Sequence, residues 1–337
     1  MRQLTLSNVF APNRKVGAAD PRPARRLPTV SPSWVVMRAM GRFETVRALM
    51  TWLAPRHRAL DAGSVESVFR EVDLRRALTD LHQAGFATGL NLPAETLNSI
   101  IKYATSDEAL CRDPSGRLFV RRDRPAIGRA FPTATCINAH ERCGAIRRLQ
   151  NDPTLLRLAA AYLRTTPAPI GTSLRWTFAN QAGDGDFRCK LNDYRSITFR
   201  FFLSNVDSQL GPLSIVRGTH LRRRWRESLM LTRPRSERAM FVDYGSENVL
   251  ILSGPAGFGA AMDPLCYHRE VSTRSRDRLV LEITFARHEY ARSIERSGAW
   301  SVPASPPHTR PTPRPLPGEA PRPTAAERSC TGLRLLG

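Results

Sequence analysis

Apolar residues recur at helical spacing through the first half of the chain and alternate with polar ones in the second. Residues 73–85 carry Leu74, Ala77, Leu78 and Leu81 three and four apart and stop at Gly85, which predicts an amphipathic helix. Leu92-Pro93-Ala94-Glu95 opens a second helix through Ile100 and Tyr103, with proline at the first helical position, where its fixed φ fits. Asp152-Pro153-Thr154 opens a third, capped by the Asp152 carboxylate and running to about Leu163. From there the period falls to two. Ile197, Phe199, Phe201 and Leu203 interleave with Thr198, Arg200 and Phe202, Val249–Leu252 forms a short apolar strand, and Leu279, Leu281, Ile283 and Phe285 alternate after Arg278. Helices followed by antiparallel strands predict an α+β chain whose second half is a β-sandwich or barrel.

The ends of the chain read differently. Residues 1–70 form a basic extension rich in arginine and proline, with an apolar patch at Trp34-Val35-Val36-Met37 and a helix predicted over 43–53; this extension is expected to cover part of the core. The last 37 residues hold nine of the 26 prolines, which prevents sheet pairing, so 293–337 is expected to be an extended tail. The folded domain is thus expected over 71–292. With 337 residues, 41% hydrophobic and 24% charged, the chain has the material for a sizeable core. It has no apolar run long enough to span a bilayer and no secretory apolar block after Met1, so a cytoplasmic protein without a membrane partner is the expectation.

Charge adds a competing picture. Lysine and arginine number 51 against 30 acidic residues, a formal net charge of +21, which is the footprint of a nucleic-acid binder. Only Lys15, Lys102 and Lys190 are lysines, however, and arginine with abundant alanine and proline is also what a GC-rich genome writes. The arginines are scattered over every segment and mark no single face for a duplex, so nucleic acid stays an alternative rather than the first reading. The six cysteines form no CxxC pair and read as reduced thiols.

The candidate chemistry lies in the strand-rich half. Residues 187–207 lead into Gly211-Pro212 and then Val216-Arg217-Gly218-Thr219-His220; downstream come Cys266-Tyr267-His268 and, ten residues later, Arg278 opening Arg278-Leu279-Val280-Leu281-Glu282-Ile283. With Gly85-Phe86-Ala87-Thr88 as a lead strand, these features over residues 72–290 resemble the phytanoyl-CoA dioxygenase family of Fe(II)/2-oxoglutarate oxygenases. The resemblance implies a double-stranded β-helix core, jelly-roll or cupin-like, flanked by N-terminal helices. It implies iron held by a His-x-Asp pair on one strand and a distal His on another, with three positions left for 2-oxoglutarate and oxygen. It also implies an arginine about ten residues past the distal His that forks onto the far carboxylate of 2-oxoglutarate.

Carried over residue by residue, His268 falls on the distal metal position and Arg278 on the 2-oxoglutarate position. The His-x-Asp position, counted back without gaps from Leu203-Ser204-Asn205-Val206-Asp207, reads Arg188-Cys189-Lys190. Both ligands are gone, and two cations stand in their place. Arginine cannot deprotonate to ligate, and neighbouring positive charges repel a divalent ion. Residues 188 and 190 share a strand face, so the pocket is expected to be an anion receptor, with Arg278 and a protonated His268 adding to it. Asp186 would enter only by a slipped register, which would flip the apolar alternation that follows.

Weaker candidates accompany this one. Cys136, His140 and Cys143 are spaced for one helix face, read as a buried face rather than a zinc site for want of a fourth ligand. His220 is either a structural hydrogen-bonding residue or a substrate contact. The basic run Arg222-Arg223-Arg224-Trp225-Arg226, expected beside the pocket mouth, makes Arg224 and Trp225 candidates for contact with an anionic substrate or carrier. Glu282 shares the face of Arg278 and is the expected counter-charge.

Three functions remain open at this level. The first is a protein of this family that has lost iron and binds an anionic small molecule or carrier-bound substrate. It acts either without turnover or in a metal-free biosynthetic step with Lys190, Arg188 or His268 as acid–base groups, a lysine among like charges being readier to act as a base. The second is a working Fe(II)/2-oxoglutarate hydroxylase with rewired ligands. The third is a nucleic-acid-binding protein.

Overall fold

The structure, a computed structural model, describes residues 31–53, 66–69, 71–120, 124–179, 185–207, 210–223, 225–231, 233–273 and 275–289. The proline-rich tail, the first thirty residues and Arg224 lie outside the described residues. In chain order, α1 (Pro32–Met40), α2 (Glu44–Trp52) and α3 (Leu74–Gln83) precede β1 (Phe86–Thr88). Next come α4 (Ala94–Ala104), β2 (Cys111–Arg112), β3 (Leu118–Phe119), α5 (Arg124–Ala130), β4 (Thr133–Cys136), α6 (Ala139–Arg142), α7 (Gly144–Gln150) and α8 (Pro153–Leu163). The strand-rich half holds β5 (Ala168–Thr177), β6 (Ser196–Phe202), β7 (Leu213–Val216), α9 (Trp225–Leu229), α10 (Glu237–Tyr244), β8 (Val249–Leu252), β9 (Gly259–Met262), β10 (His268–Glu270) and β11 (Arg278–Ala286).

The start signals act as their chemistry dictates. Asp73 caps α3 by accepting from the amides of Arg75 and Arg76, and Asp152 caps α8 by accepting from Thr154 and Leu155. Pro93 departs from expectation: it caps α4 from outside with an extended ψ of 148°, and the helix begins at Ala94. The proposed Cys136–His140–Cys143 helix face does not form. Cys136 ends β4 with its Sγ 2.8 Å from Cys111 across the strand pair, and Asn138 then turns the chain through a left-handed φ of 51° before the single turn that holds His140.

Two antiparallel sheets face each other. The larger runs β1-β9-β6-β11-β5-β4-β2-β3 and the smaller β10-β7-β8. Residues 187–188 extend the smaller sheet through paired bridges, Arg188 to His268 among them. From β5 onward the chain passes between the sheets, placing β5, β6, β9 and β11 in the larger and residues 187–188, β7, β8 and β10 in the smaller. That path is a double-stranded β-helix, the jelly-roll architecture expected.

Alternation decides what each face does. Ile197, Phe199 and Phe201 of β6, with Leu279, Leu281, Ile283 and Phe285 of β11, pack outward against Leu81, Ile100, Ile146, Leu155 and Leu158 of the helices. The intervening residues face the lumen between the sheets. One end of that lumen is apolar, filled by Phe202, Leu213, Ile215, Leu252, Ala260, Met262 and Val280. On the outer face of the smaller sheet, Met37, Phe187, Cys189, Leu191, Met240 and Tyr267 form a separate cluster, with Trp34, Val46 and Met50 of α1 and α2 packed against it. The extension therefore covers the smaller sheet, and buried Arg47 fastens it by donating to the carbonyls of Gly41 and His220, both at 3.0 Å.

Gly85 ends α3 with φ +83°, and a Cβ there would collide with Cys266 Sγ and lie 2.6 Å from His220 Nδ1. Gly89 has a similar φ of +96° but open space around it. Gly85→Ala is expected to lose about 2 kcal/mol or more, and Gly89→Ala only about 1, the conformational part alone. Equilibrium denaturation of the two variants against wild type measures both; equal losses would show that the Gly85 contact is not tight.

Candidate functional site: an ionic cluster in the lumen

The polar end of the lumen is assembled from both sheets. Arg188 and His268 sit directly opposite one another, each amide donating to the other's carbonyl at 2.9 Å, so their side chains share a face. Lys190, two residues on, points the same way, and its amide donates to Pro264 O at 2.7 Å. From the larger sheet, Arg175 of β5, Arg200 of β6, and Arg278 and Glu282 of β11 face inward. Their common face is fixed by the registers Val280↔Arg175 and Glu282↔Arg200. Glu270, two residues beyond His268 on β10, completes the set.

These charges are paired. Glu270 Oε1 accepts from Arg175 and, at 2.6 Å, from Arg200 Nη2, while its Oε2 accepts from Arg278 Nη2 at 2.8 Å. Glu282 Oε1 accepts from Arg200 Nη1 at 2.5 Å, and Lys190 Nζ stands 3.8 Å from Glu282 Oε2. Glu282 therefore supplies counter-charge as expected, but to Arg200 and Lys190; the carboxylate on Arg278 is Glu270. Lys190 thus sits beside a carboxylate rather than among cations alone.

Burial and charge set the protonation states. Burial pulls the His268 imidazole down to about 4, with the Lys190 ammonium pushing the same way, so His268 is neutral at pH 7 rather than protonated as expected. Its Nδ1 donates to Cys266 O at 2.8 Å, which leaves Nε2 as the basic nitrogen. For Glu270, burial favours the neutral acid, yet the guanidiniums of Arg175, Arg200 and Arg278 hold the carboxyl well below its usual range. Burial opposes ionisation of Glu282 too, but Lys190 and Arg200 outweigh it and bring that carboxyl to about 2. Arg278, 1% exposed, is drawn down to about 10 chiefly by burial and stays a cation.

Iron does not fit the described side chains of this cluster. Among the described residues His268 is the one imidazole there, and the two carboxylates, Glu270 and Glu282, are committed to guanidiniums. No group of three or more His, Cys, Asp or Glu side chains able to hold a metal occurs among the described residues. The guanidinium of Arg278, the residue expected to meet 2-oxoglutarate, is engaged by Glu270.

Other sequence candidates fall elsewhere. His220 is buried, 2% exposed, with Nδ1 3.6 Å from Cys266 Sγ. Of the basic run, Arg222 and Arg223 lie across the smaller sheet from the lumen. Arg223 stacks over Tyr267 at 4.6 Å, and Tyr267 faces outward because neighbouring His268 faces inward. Arg222 and Arg223 there line a cleft of about 360 Å³ with Glu227, Asp243 and Tyr244, and Trp225 is 67% exposed on α9. Cys189 faces outward as parity requires, its thiol donating to Leu231 O at 2.9 Å. Asp186 is exposed, and the register that sets Arg188 opposite His268 gives it no place in the cluster.

Sequence reasoning missed Arg175, Arg200 and Glu270 as members of the site. Arg200 carried a signal, being a charge on the inward face of a strand whose neighbours are apolar, a position that demands a partner.

No family model matches the chain, and no curated protein does. Among solved structures, AviO1 from Streptomyces viridochromogenes is 16% identical, with a TM-score of 0.44 over 64% of this chain and 96% of that one. EvdO2 from Micromonospora carbonacea is 14% identical, with a TM-score of 0.47 over 65% of this chain and 93% of that one. The non-heme alpha ketoglutarate dependent epimerase SnoN from nogalamycin biosynthesis is 13% identical, with a TM-score of 0.46 over 63% and 82%.

The neutral His268 has a consequence for acid stability. Between its ordinary 6.5 and about 4, the unfolded chain takes up a proton that the folded chain refuses, so stability falls on acidification through that window. His82 and His220, also lowered chiefly by burial, act in the same sense. Glu282 adds a further loss below its ordinary 4.5, extending toward about 2. His268→Gln is expected to reduce proton uptake on unfolding at pH 5 by about one proton, or ~1.4 kcal/mol per pH unit of slope. Denaturant titrations across pH 4.5 to 7, roughly the window of a depressed histidine, measure it. An unchanged slope would mean that His268 titrates normally.

Proposed function

We propose that this chain is a phytanoyl-CoA dioxygenase-like protein that does not work as an iron oxygenase and instead binds an anionic small molecule or carrier-bound substrate in its lumen. The observation that carries the reading is the closed backbone bridge between Arg188 and His268, which supports the gap-free counting that puts Arg188 and Lys190 where the family's His-x-Asp pair would stand. The guest's carboxylate or phosphate is held by the Arg188 fork and the Lys190 ammonium, whose side chain is 45% exposed. Where a reaction follows binding, it is metal-independent. Nε2 of neutral His268 accepts the proton, and Lys190 stabilises negative charge developing on the guest.

The test is metal content. Wild-type protein, purified and dialysed against Fe(II), is expected to retain far less than one iron per chain and to release no succinate from 2-oxoglutarate. Arg188→His combined with Lys190→Asp is expected to gain stoichiometric Fe(II) or Ni(II), because it restores two donors beside His268. Stoichiometric iron with succinate release in the wild type would establish the rewired hydroxylase instead. A double variant that stays metal-free would mean that the register, and with it the reading, is wrong. For the anion site, calorimetry with pyrophosphate and with coenzyme A as probes is expected to show at least tenfold weaker binding in Arg188→Ala; unchanged affinity for both would overturn that assignment.

A further inference from the structure

The 2-oxoglutarate position assigned by resemblance is the most buried part of the cluster. Arg278 is pressed between the two sheets, and the chain is shaped around it. A Cβ on Gly211, at φ +76°, would lie 2.7 Å from Arg278 Nη1 and 2.6 Å from Val271 O, so the Gly211-Pro212 turn closes directly over the guanidinium. Apart from Glu270, the polar contacts of Arg278 are long ones, 3.4 Å to Val271 O and 3.4 Å to Thr177 Oγ1. Glu270 is its strong partner, at 2.8 Å. The same carboxylate draws in Arg175 and Arg200, so three guanidiniums from three strands of the larger sheet converge on one carboxylate from the smaller sheet. This is how a clamp would hold the distal carboxylate of a dicarboxylic acid, except that the carboxylate belongs to the chain.

From this arrangement we infer that Glu270 is a built-in ligand of the Arg278 clamp, standing where a diffusible carboxylate would bind, so that the wild-type chain does not take 2-oxoglutarate at this subsite. The inference rests on the same alignment as the proposed function, but it concerns a different subsite. A carboxylate fixed to a strand competes at an effective concentration that no dissolved metabolite reaches. A ligand that displaced it would also leave Glu270 ionised and without its guanidiniums in a poorly solvated lumen. A guest of the wild-type protein is therefore directed to Arg188 and Lys190, at the exposed end, and 2-oxoglutarate is rejected at Arg278. Truncation to alanine at position 270 leaves Arg175 and Arg278 without that carboxylate and Arg200 with Glu282 alone, and opens a space matching the lost CH2–carboxylate, the outline of acetate and of one end of 2-oxoglutarate.

Glu270→Ala tests this, with thermal shift and calorimetry using 2-oxoglutarate and acetate as probes and sodium chloride at matched ionic strength as control. With the outer anion site removed by Arg188→Ala, the chain that keeps Glu270 is expected to give no saturable response to millimolar 2-oxoglutarate. Glu270→Ala is expected to melt lower, to recover on addition of either carboxylate but not chloride, and to bind 2-oxoglutarate at least tenfold more tightly than wild type does. Glu270→Gln, which removes the charge but keeps the bulk, is expected to bind it more weakly than Glu270→Ala. Should Glu270→Ala not stay soluble, refolding yield is the readout: a yield raised by 2-oxoglutarate over chloride supports the inference, and equal yields overturn it. Saturable 2-oxoglutarate binding by metal-free protein that persists undiminished in Arg188→Ala, or a folded Glu270→Ala indifferent to both carboxylates, also overturns it. Neither outcome bears on iron, and stoichiometric iron in the wild type would sink the proposed function while leaving the Glu270 clamp to its own test.

Discussion

A charge placed between two packed sheets has lost most of its water, and the lumen of this chain is organised around making good that loss. Arg200 and Arg278 are almost fully buried. In such surroundings an unpaired guanidinium would be severely destabilising, whereas one matched by a carboxylate with suitable geometry is tolerated. Glu270 does most of the matching. It reaches from the smaller sheet to three strands of the larger one, and so acts as an ionic tie between sheets that elsewhere meet through side chains such as Leu213, Ile215, Phe202 and Val280. Removing it would unbalance three cations together, so its effect on folding is coupled to each of them rather than additive.

How much of this could be read from the sequence follows from the range of each signal. Helix caps at Asp73 and Asp152 and the period-two runs at β6 and β11 are local patterns, and they appear as expected. So does the fold class, because helices followed by alternating strands leave few ways to bury both faces of β6. Pro93 shows the limit of a local rule: proline suits both the cap and the first turn, and only its ψ distinguishes them. The cluster lies beyond local reach. Glu270 meets Arg200 across 70 residues of sequence and Arg175 across 95, and no spacing along the chain announces such a pair. Arg278 was found through family spacing, but that spacing points to an external partner and so hid the internal one. The neutrality of His268 is equally non-local, coming from burial together with the Lys190 ammonium.

The strand through residues 266–268 shows why a basic run next to a candidate ligand in sequence need not share its site. Tyr267 turns toward the cluster covered by α1 and α2, and Arg223 stacks on it there; His268 turns into the lumen. Arginines a short loop away from the pocket thus serve the outer face, where Arg235 bridges Glu227 and Asp243. Part of the chain's large positive charge is accounted for in this way, as structural arginine that fastens segments together. Arg47 on the carbonyl of His220 is a further case.

What the lumen offers a guest depends on where its charges fall out of balance. The pairing of Arg175, Lys190, Arg200 and Arg278 with Glu270 and Glu282 is uneven along the lumen. At the deep end Arg278, 1% exposed, has Glu270 in close contact; at the outer end Lys190, 45% exposed, stands 3.8 Å from a carboxylate that Arg200 holds at 2.5 Å. Positive potential therefore rises toward the end where solvent and solutes enter. An anion arriving there gains attraction without having to expel Glu270 or to shed all its water. A divalent cation meets two cations before it reaches the single imidazole. On the proposed reading, Arg188 and Lys190 both leave a metal short of donors and favour a negative guest at the entrance, while Glu270 offsets the guanidiniums of the interior.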